Sequence, residues 1–327
     1  MGQKSIKILK WIVPLALGAY LIYLPYSSFS ESERASVYLS IKEANYFYVV
    51  LSLVLALASH LSRAWRWNYM LQELGPHPKF LTNVMAIGAG YIINLFIPRG
   101  GEIARAGVIK KSDGIPLDQA IGTIIAERVL DLIVLLLITL IAFLLAADEL
   151  IPFFKSSYEV LIYKLEWQQL IFISATAFFL IIIIYVIARR LNLVQKLIGF
   201  LAGLKDGFVT IWTMKKKGFY LLHTLFIWAM YLLMFYVCFH AVSDFQNIEL
   251  PAVLSAFVAG SFSVAFVNGG FGAYPFLIAQ VLMLFGYSQT LGTSIGWLLW
   301  LSQTLLVITY GSISLVLISL NEKLFTK

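Results

Sequence analysis

Two short interruptions of apolar sequence constrain this chain more than any other feature. The first is Ile97–Arg105, with the sequence IPRGGEIAR, and the second, about 170 residues later, is Val267–Pro275, with the sequence VNGGFGAYP. Glycine and proline break a helix and leave backbone amides and carbonyls without partners, and such breaks persist at membrane depth only inside protein or beside a water-filled cavity. Paired breaks in two corresponding halves indicate a transporter with its substrate site between them.

The composition explains why lipid is the relevant solvent. Of the 327 residues, 60% are hydrophobic and 13% are charged, whereas a soluble domain carries about 25% charged residues. The net charge of +7 does not indicate a nucleic-acid partner, because the basic residues lie in short loops between apolar runs and report membrane orientation. We therefore expect an all-α polytopic membrane protein, with a single transmembrane domain over residues 1–327.

Apolar runs long enough to cross about 30 Å of hydrocarbon as unbroken helices are 8–26, 46–65, 119–147, 169–188, 220–242 and 292–320. Two further runs are broken. The run 81–98 ends at Ile97-Pro98, and the run 251–287 is split at Asn268–Gly270 and again at Tyr274-Pro275. We predict about six full transmembrane helices plus two broken or re-entrant helical hairpins.

Loop charges set the predicted orientation, because short cytoplasmic loops are enriched in Lys and Arg. The loop 189–219 is strongly basic and is placed inside with both termini, whereas 27–45 and 148–168 carry more acidic than basic residues and are placed outside. A full crossing by 81–98 would put the basic residues from Arg99 onward outside, so we expect a re-entrant hairpin there. The run 251–287 is either a hairpin that enters from outside or two full spans.

The predicted elements repeat along the chain. Residues 1–147 and 169–320 both give the order helix, helix, broken hairpin, helix, at an offset of about 160–175 residues and with opposite orientation. This pattern indicates an inverted-topology repeat of two halves. The alternative is that glycine and proline, which are common in membrane helices, only kink ordinary spans.

Three adjacent charges lie within the apolar run 119–147. Glu127 and Asp131 are four residues apart and share a helix face, while Arg128 is three residues from Asp131 and can pair with it. A charge at the bilayer centre costs at least about 2.5–3.5 kcal/mol, so this cluster should face a bundle interior or a cavity. It is either functional or a structural ion-pair cluster with Arg63, Arg99 or Arg105, and the two interpretations are compatible.

The first break offers an anion-binding chemistry. Arg99, Glu102 and Arg105 flank Gly100-Gly101, whose missing side chains let a ligand approach the backbone. The planar guanidinium binds phosphate through paired hydrogen bonds, so Arg99 and Arg105 are candidates for a lipid headgroup. Arg63 and Arg66 end the second span beside Trp65 and Trp67; we interpret them mainly as interfacial anchors, with headgroup contact as the sharper hypothesis.

Signals for enzyme chemistry are weak. His60, His77, His223 and His240 lack metal-ligand spacing, and no nucleophile elbow or nucleotide-binding fingerprint occurs in the sequence. The single cysteine, Cys238, excludes a cysteine-based metal cluster. We therefore expect no catalytic residue, no metal site and no cofactor, and a transporter rather than an enzyme.

Several of these segments resemble one known family, the lysylphosphatidylglycerol synthase transmembrane region, also called flippase-like or UPF0104. The similar segments are Ser62–Arg66 (SRAWR), Asn94–Arg105 (NLFIPRGGEIAR), Glu127-Arg128 with Asp131, and Asn268–Gly272 (NGGFG). The resemblance implies a lipid-translocating membrane domain. The synthases add a cytoplasmic catalytic domain that this sequence does not show, so synthase activity is not expected. The family usually has proline where this chain has Asn268.

Together these observations predict a flippase-like transporter of the cytoplasmic membrane for an anionic or phosphate-bearing lipid. Its cytoplasmic-side pocket would comprise Arg63, Arg99, Glu102, Arg105, Glu127, Arg128 and Asp131, and its outer counterpart Asn268, Gly269, Gly270 and Tyr274. One rival is a membrane-embedded transferase acting on a lipid carrier, with Glu127 or Asp131 as base. Another is a non-transporting assembly partner. The sequence leaves a homo-oligomer open.

Overall fold

The computed structural model describes residues 3–75, 78–163 and 211–320, and within these ranges it is helical, without β-strands. The α-helices in chain order are α1 Gln3–Ser28, α2 Glu31–Lys42, α3 Tyr46–Gln72, α4 Phe80–Phe96, α5 Gly100–Asp113, α6 Leu117–Leu145, α7 Ala147–Tyr163, α8 Lys217–Phe239, α9 Leu250–Phe266, α10 Ala273–Leu284 and α11 Gln289–Leu320. Short 3₁₀ turns cover Ser243–Phe245 and Asn268–Gly270.

Helices α3, α6, α8 and α11 are long and apolar enough to cross a membrane, and α4, α9 and α10 are shorter apolar helices. The predicted multi-pass helical membrane protein is therefore confirmed. The predicted span 8–26 lies within α1, and the predicted span 169–188 lies outside the described residues. The total of six full spans stays a prediction.

Two segments treated as loops in the sequence contain helices. Helix α2 occupies most of 27–45, and α7 begins at Ala147 and continues to Tyr163. Ser30 starts α2 with a capping box, in which the Ser30 amide donates to the Glu33 carboxylate at 2.8 Å and the Glu33 amide donates to the Ser30 hydroxyl at 3.3 Å. The hydrogen bond from the Ser30 amide lowers the pKa of Glu33. The spacing Ser-x-x-Glu was a sequence signal for this start.

Both broken runs fold into antiparallel helical hairpins. In the first, α4 and α5 pack so closely that the Gly101 amide donates to the Asn94 side-chain oxygen at 2.8 Å. In the second, α9 packs on α10, and the missing side chain of Gly260 makes room for the Tyr274 ring. The hairpins agree with the sequence pattern, whereas their depth in a membrane stays a prediction.

The two breaks share one backbone geometry. Helices α4 and α9 have 17 residues each, and their bounds differ by 170 positions. Each is followed by an extended residue, Ile97 (φ −120°, ψ 104°) or Val267 (φ −115°, ψ 127°). Two residues further on, the backbone is left-handed at Arg99 (φ 61°, ψ 11°) and at Gly269 (φ 63°, ψ 10°). The same chain reversal therefore occurs twice at this offset.

One predicted break is wrong. Tyr274-Pro275 does not interrupt a helix, because both residues lie in the first turn of α10, which begins at Ala273. The amide that proline lacks would have no intrahelical partner in a first turn, so proline is tolerated there. Only residues 267–272 separate α9 from α10.

Packing between the two parts of the chain is reciprocal. Helices α3 and α8 form an antiparallel pair, in which Tyr69 lies near Phe219 and Tyr48 lies near His240. Hairpin helix α4 packs on α11, and its counterpart α9 packs on α6. Each hairpin therefore rests on the long helix of the other part, and α3, α6 and α8 enclose a common interior.

The close approach of α4 and α5 depends on glycine at position 101. A Cβ atom there would collide with the Gly90 carbonyl oxygen and lie 2.6 Å from the Asn94 side chain. We predict that Gly101→Ala lowers the free energy of unfolding by about 1–3 kcal/mol, the usual cost of overpacking. Unfolding of the purified protein in detergent measures this change.

Gly107→Ala is the matched control, because Gly107 lies in the same helix with open space around its Cβ position. Alanine is favoured over glycine in a helix interior by about 0.5–1 kcal/mol, so this variant should be unaffected or slightly more stable. Equal destabilisation by the two variants would contradict the predicted close contact.

Candidate functional site

Five charged side chains meet inside the bundle. Arg63 and Arg66 come from α3, Arg105 comes from α5, and Glu127 and Asp131 come from one face of α6. All five are buried, with exposed fractions between 0% for Arg66 and 8% for Asp131. The sequence predicted four of these residues as site residues, and the structure brings those four together.

Glu127 is the centre of this charge network. One carboxylate oxygen accepts hydrogen bonds from Arg63 at 2.6 Å and from Arg66 at 2.9 Å, and the other accepts one from Arg105 at 3.0 Å. Charge-assisted hydrogen bonds are roughly twice as strong as neutral ones. A single carboxylate thus connects α3 and the hairpin helix α5 to α6.

Asp131 extends the network toward α8. It accepts hydrogen bonds from Arg66 at 2.7 and 3.1 Å and from Arg63 at 3.0 Å. The same two arginines donate to α8: Arg63 to the Tyr231 hydroxyl at 3.1 Å, and Arg66 to the Thr224 hydroxyl at 3.2 Å. The network therefore connects α3 and α6 to α8, which lies about 170 residues after α3 in the sequence.

Aromatic rings and one glycine position the arginines. The Arg105 guanidinium lies 4.1 Å from the centre of the Trp67 ring, within the range of a cation–π interaction. Trp67 is itself held by a 2.9 Å hydrogen bond to Thr123. A Cβ atom on Gly90 would lie 2.8 Å from Arg105 Cγ, so glycine at that position lets Arg105 extend along α4 toward Glu127.

The network carries a net charge of +1, since three arginines meet two carboxylates. Burial of charge in a low-dielectric interior is tolerated only with close partners and further hydrogen bonds. Positive charge in excess of the available carboxylates favours an anion over a cation as ligand. Within the described ranges, no group of three or more His, Cys, Asp and Glu side chains is arranged to hold a metal ion.

The other charged residues predicted for the cytoplasmic-side pocket lie apart from this network. Arg128 does not pair with Asp131 as predicted; it points outward and pairs with Glu102 at 3.1 Å. Residue 128 lies one position from Glu127, about 100° around the helix, so it cannot face the same interior. Arg99 is exposed at the tip between α4 and α5 and forms no ion pair with another described residue.

Sequence reasoning missed Arg66 and the residues of α8. Arg66 was interpreted as an interfacial anchor, yet it is fully buried and bonds to both carboxylates. A signal was present, because Arg63 and Arg66 are three residues apart and share a helix face, as Glu127 and Asp131 do. No charge in α8 pointed to Thr224 or Tyr231, so only the fold reveals their part.

The second break lies directly on the first. The Asn268 amide donates to the Leu95 backbone oxygen at 2.9 Å, and the Trp300 indole donates to the Gly269 oxygen at 2.7 Å. Leu95 is in the last turn of α4, where carbonyls have no intrahelical partner. The Asn268 side chain thus satisfies a backbone group of the other hairpin. Gly270 is buried, and Tyr274 packs beside Gly260.

This arrangement defines a class of protein: a multi-pass helical membrane protein whose two broken hairpins meet beside a buried network of ion pairs. The sequence profile of the lysylphosphatidylglycerol synthase transmembrane region matches residues 11–311. The match covers nearly the whole chain, and the protein belongs to this family.

Two archaeal relatives support the assignment. A UPF0104 membrane protein of Methanocaldococcus jannaschii is 30% identical over 146 residues, which cover 44% of this chain and 40% of the relative. A UPF0104 membrane protein of Pyrococcus horikoshii is 23% identical over 272 residues, which cover 76% of this chain and 80% of the relative. No solved structure matches the chain significantly.

Glu127 and Glu102 both pair with arginine, but the Glu127 pairs are buried and the Glu102 pair is partly exposed. This difference in burial gives a prediction. Removal of one partner from a buried ion pair costs about 3–5 kcal/mol, because the other charge stays buried without compensation. We therefore expect Glu127→Gln, which leaves three arginines facing one carboxylate, to lower the free energy of unfolding by about that amount. Chemical or thermal unfolding in detergent provides the measurement.

Glu102→Gln makes the same chemical change in the outward pair, where the side chains of Arg128 and Glu102 are 48% and 26% exposed. Exposed pairs contribute at most about 1 kcal/mol, so this variant should stay close to the wild-type stability. If Glu127→Gln were as mild as Glu102→Gln, Glu127 would not be the centre of the network.

Proposed function

We propose that this protein moves a phosphate-bearing lipid between the leaflets of the cytoplasmic membrane. The observation that carries the proposal is the buried, net positive network of Arg63, Arg66 and Arg105, which lies next to the meeting point of two broken hairpins. Arginine recognises phosphate through paired hydrogen bonds, and broken helices at membrane depth are typical of substrate sites in transporters. Membership of the family agrees with this proposal.

The internal repeat supports an alternating mechanism. We propose that the two parts of the chain are inverted halves, with the amino and carboxyl termini in the cytoplasm. The antiparallel pairing of α3 with α8, the reciprocal packing of the hairpins and the repeated left-handed residues at Arg99 and Gly269 are what an inverted repeat requires. In such transporters one half rocks against the other around a fixed site.

In the proposed transport, Arg105 links headgroup binding to movement of the first hairpin. Arg105 is attached to α5, and its single ion pair within the described ranges is with Glu127. A headgroup phosphate that reaches Arg105 competes with Glu127 for the same guanidinium, which frees the hairpin to move relative to α6. The contact between Asn268 and Leu95 then opens or closes the passage at the tips. The acyl chains stay in lipid throughout.

The rival function of a lipid-carrier transferase is less well supported. A general base has to reach the proton that it removes. Glu127 is 1% exposed and is bonded to three arginines, while Asp131 is bonded to two of them. Carboxylates held in this way are suited to position cations rather than to accept a proton from a substrate.

Leaflet exchange in vesicles tests the proposal. We expect purified protein in phospholipid vesicles to make a fluorescent phosphatidylglycerol in the inner leaflet accessible to a membrane-impermeant quencher, at a rate that rises with protein content. The lipid recovered afterwards should have an unchanged mass. Absence of exchange from folded protein would contradict transport, and a covalently altered lipid would favour the transferase.

Arg99 gives a sharper test of headgroup contact at the tip. Its left-handed backbone (φ 61°) costs a non-glycine residue about 1–2 kcal/mol, so Arg99→Gly should fold at least as stably as the wild type. Loss of a charge-assisted hydrogen bond to phosphate should slow exchange by about tenfold.

Arg99→Lys separates the charge from the backbone strain, since it keeps both the positive charge and the Cβ atom. We expect it to slow exchange less than Arg99→Gly does. A wild-type exchange rate in Arg99→Gly would show that this arginine does not touch the lipid and that the sequence hypothesis for Arg99 is wrong.

A further inference from the structure

Several buried polar atoms around the charge network have no hydrogen-bond partner. The Nε atoms of Arg63, Arg66 and Arg105, the Tyr91 hydroxyl and the His60 Nδ1 atom are buried and have no hydrogen-bond partner among the described residues. The whole side chains of Arg63, Arg105 and His60 are more than nine-tenths buried. A buried polar group without a partner costs about 1–3 kcal/mol, so several in one place require a physical explanation.

These groups are neighbours rather than scattered atoms. Gly90, the residue before Tyr91 on α4, lies against Arg105, because a Cβ atom on Gly90 would be 2.8 Å from Arg105 Cγ. His60 lies three residues before Arg63 on α3, so the two share a helix face. The Tyr91 ring lies 4.7 Å from the His60 ring, and the Tyr231 hydroxyl accepts its hydrogen bond from Arg63 at 3.1 Å, which leaves the Tyr231 proton available for donation. Tyr91 lies on α4 and Tyr231 on α8, so the group lies between the first hairpin and the second part of the chain.

The net charge of the neighbouring network favours an anion as the ligand of these groups. The neighbouring network has one positive charge more than its carboxylates balance, and the unpartnered atoms around it include three arginine Nε–H groups and the Tyr91 hydroxyl, all of which can donate a hydrogen bond. A cation would raise the uncompensated charge to +2, whereas one singly charged anion makes the site neutral. A guanidinium beside hydroxyl donors suits an oxyanion with an acceptor oxygen for each.

We propose that Tyr91, with Arg63 and Arg105, forms a binding site for one singly charged oxyanion, the chemistry of a phosphodiester. Tyr91 donates from α4 and Tyr231 from α8, and His60 packs against the Tyr91 ring. The assignment of this oxyanion to a lipid headgroup rests on the proposed function, whereas a small inorganic anion would satisfy the same donors.

We expect this site to distinguish ligands by their net charge. A phosphodiester lipid such as phosphatidylglycerol brings one negative charge and balances the network. A phosphomonoester brings close to two and leaves negative charge in excess. Diacylglycerol brings none, and it offers the same acyl chains as a matched control for apolar binding.

Equilibrium binding in detergent tests the site without any transport step. The full-length protein is purified in a maltoside detergent, and its unfolding temperature is followed during titration with dihexanoyl phosphatidylglycerol, dihexanoylglycerol, inorganic phosphate or chloride. A ligand that binds only the folded protein raises the unfolding temperature with concentration. We expect a saturable rise with phosphatidylglycerol and none with dihexanoylglycerol.

The variant Tyr91→Phe removes only the hydroxyl, and we expect about tenfold weaker binding of phosphatidylglycerol from loss of a hydrogen bond to a charged group. Tyr48→Phe is the control, since Tyr48 lies in α3 beside His240, fifteen positions before Arg63. Arg105→Gln removes the excess charge, so it should abolish the response to anions while the protein still folds in their absence.

The outcomes separate the sources of the anion. Saturable stabilisation by phosphatidylglycerol alone supports a lipid headgroup, and equal stabilisation by inorganic phosphate supports a free oxyanion at the same donors. Equal stabilisation by chloride would contradict a site for an oxyanion. No response to any anion, an equal response to dihexanoylglycerol, or unchanged binding in Tyr91→Phe would overturn the site. Binding without leaflet exchange would remove the proposed transport and leave the site, and exchange without binding would do the reverse.

Discussion

A carboxylate that is buried among apolar helices requires nearby cations, and Glu127 pairs with arginines from two other helices. Arg63 and Arg66 reach it from α3, and Arg105 reaches it from α5. Because an isolated charge in a low-dielectric interior is very costly, these helices cannot separate without new partners for their charges. The position of the first hairpin, the packing of α3 against α6 and the contacts with Tyr231 and Thr224 on α8 all follow from this requirement.

In the proposed transport, the same network is the place where a ligand would be coupled to movement. Arg105 belongs to a short hairpin whose tip touches the second hairpin through Asn268, so a change at Glu127 reaches the tips through a few residues of α5. At that tip the left-handed backbone conformation is unfavourable for Arg99, whereas its counterpart Gly269 adopts the same conformation with almost no steric penalty. A charged residue held in a left-handed conformation is typical of functional sites, where strain is compensated elsewhere in the fold.

Much of the architecture was predictable from the sequence, because lipid leaves few choices. The ends of the first broken run, the break at Asn268–Gly270 and the buried face of Glu127 and Asp131 appear in the structure where the sequence placed them. Arg66 was missed and Arg128 was paired wrongly, because in both cases the decision depends on helix rotation relative to neighbours. Helices α2 and α7 were treated as loops, because loop charge reports orientation and not conformation.

The sequence by itself determined that the chain is a helical membrane protein with two matching breaks and a set of charges too costly to leave in lipid. It did so because hydrocarbon penalises free backbone groups and unpaired charges wherever they occur along a chain. The tertiary structure decided which charges pair, that the tips of the two hairpins touch, and that Tyr91 and Tyr231 face the arginines from different helices. The hydrogen-bonded pairs among them are 22 to 173 positions apart in the sequence, and the relative rotation and placement of whole helices bring them together.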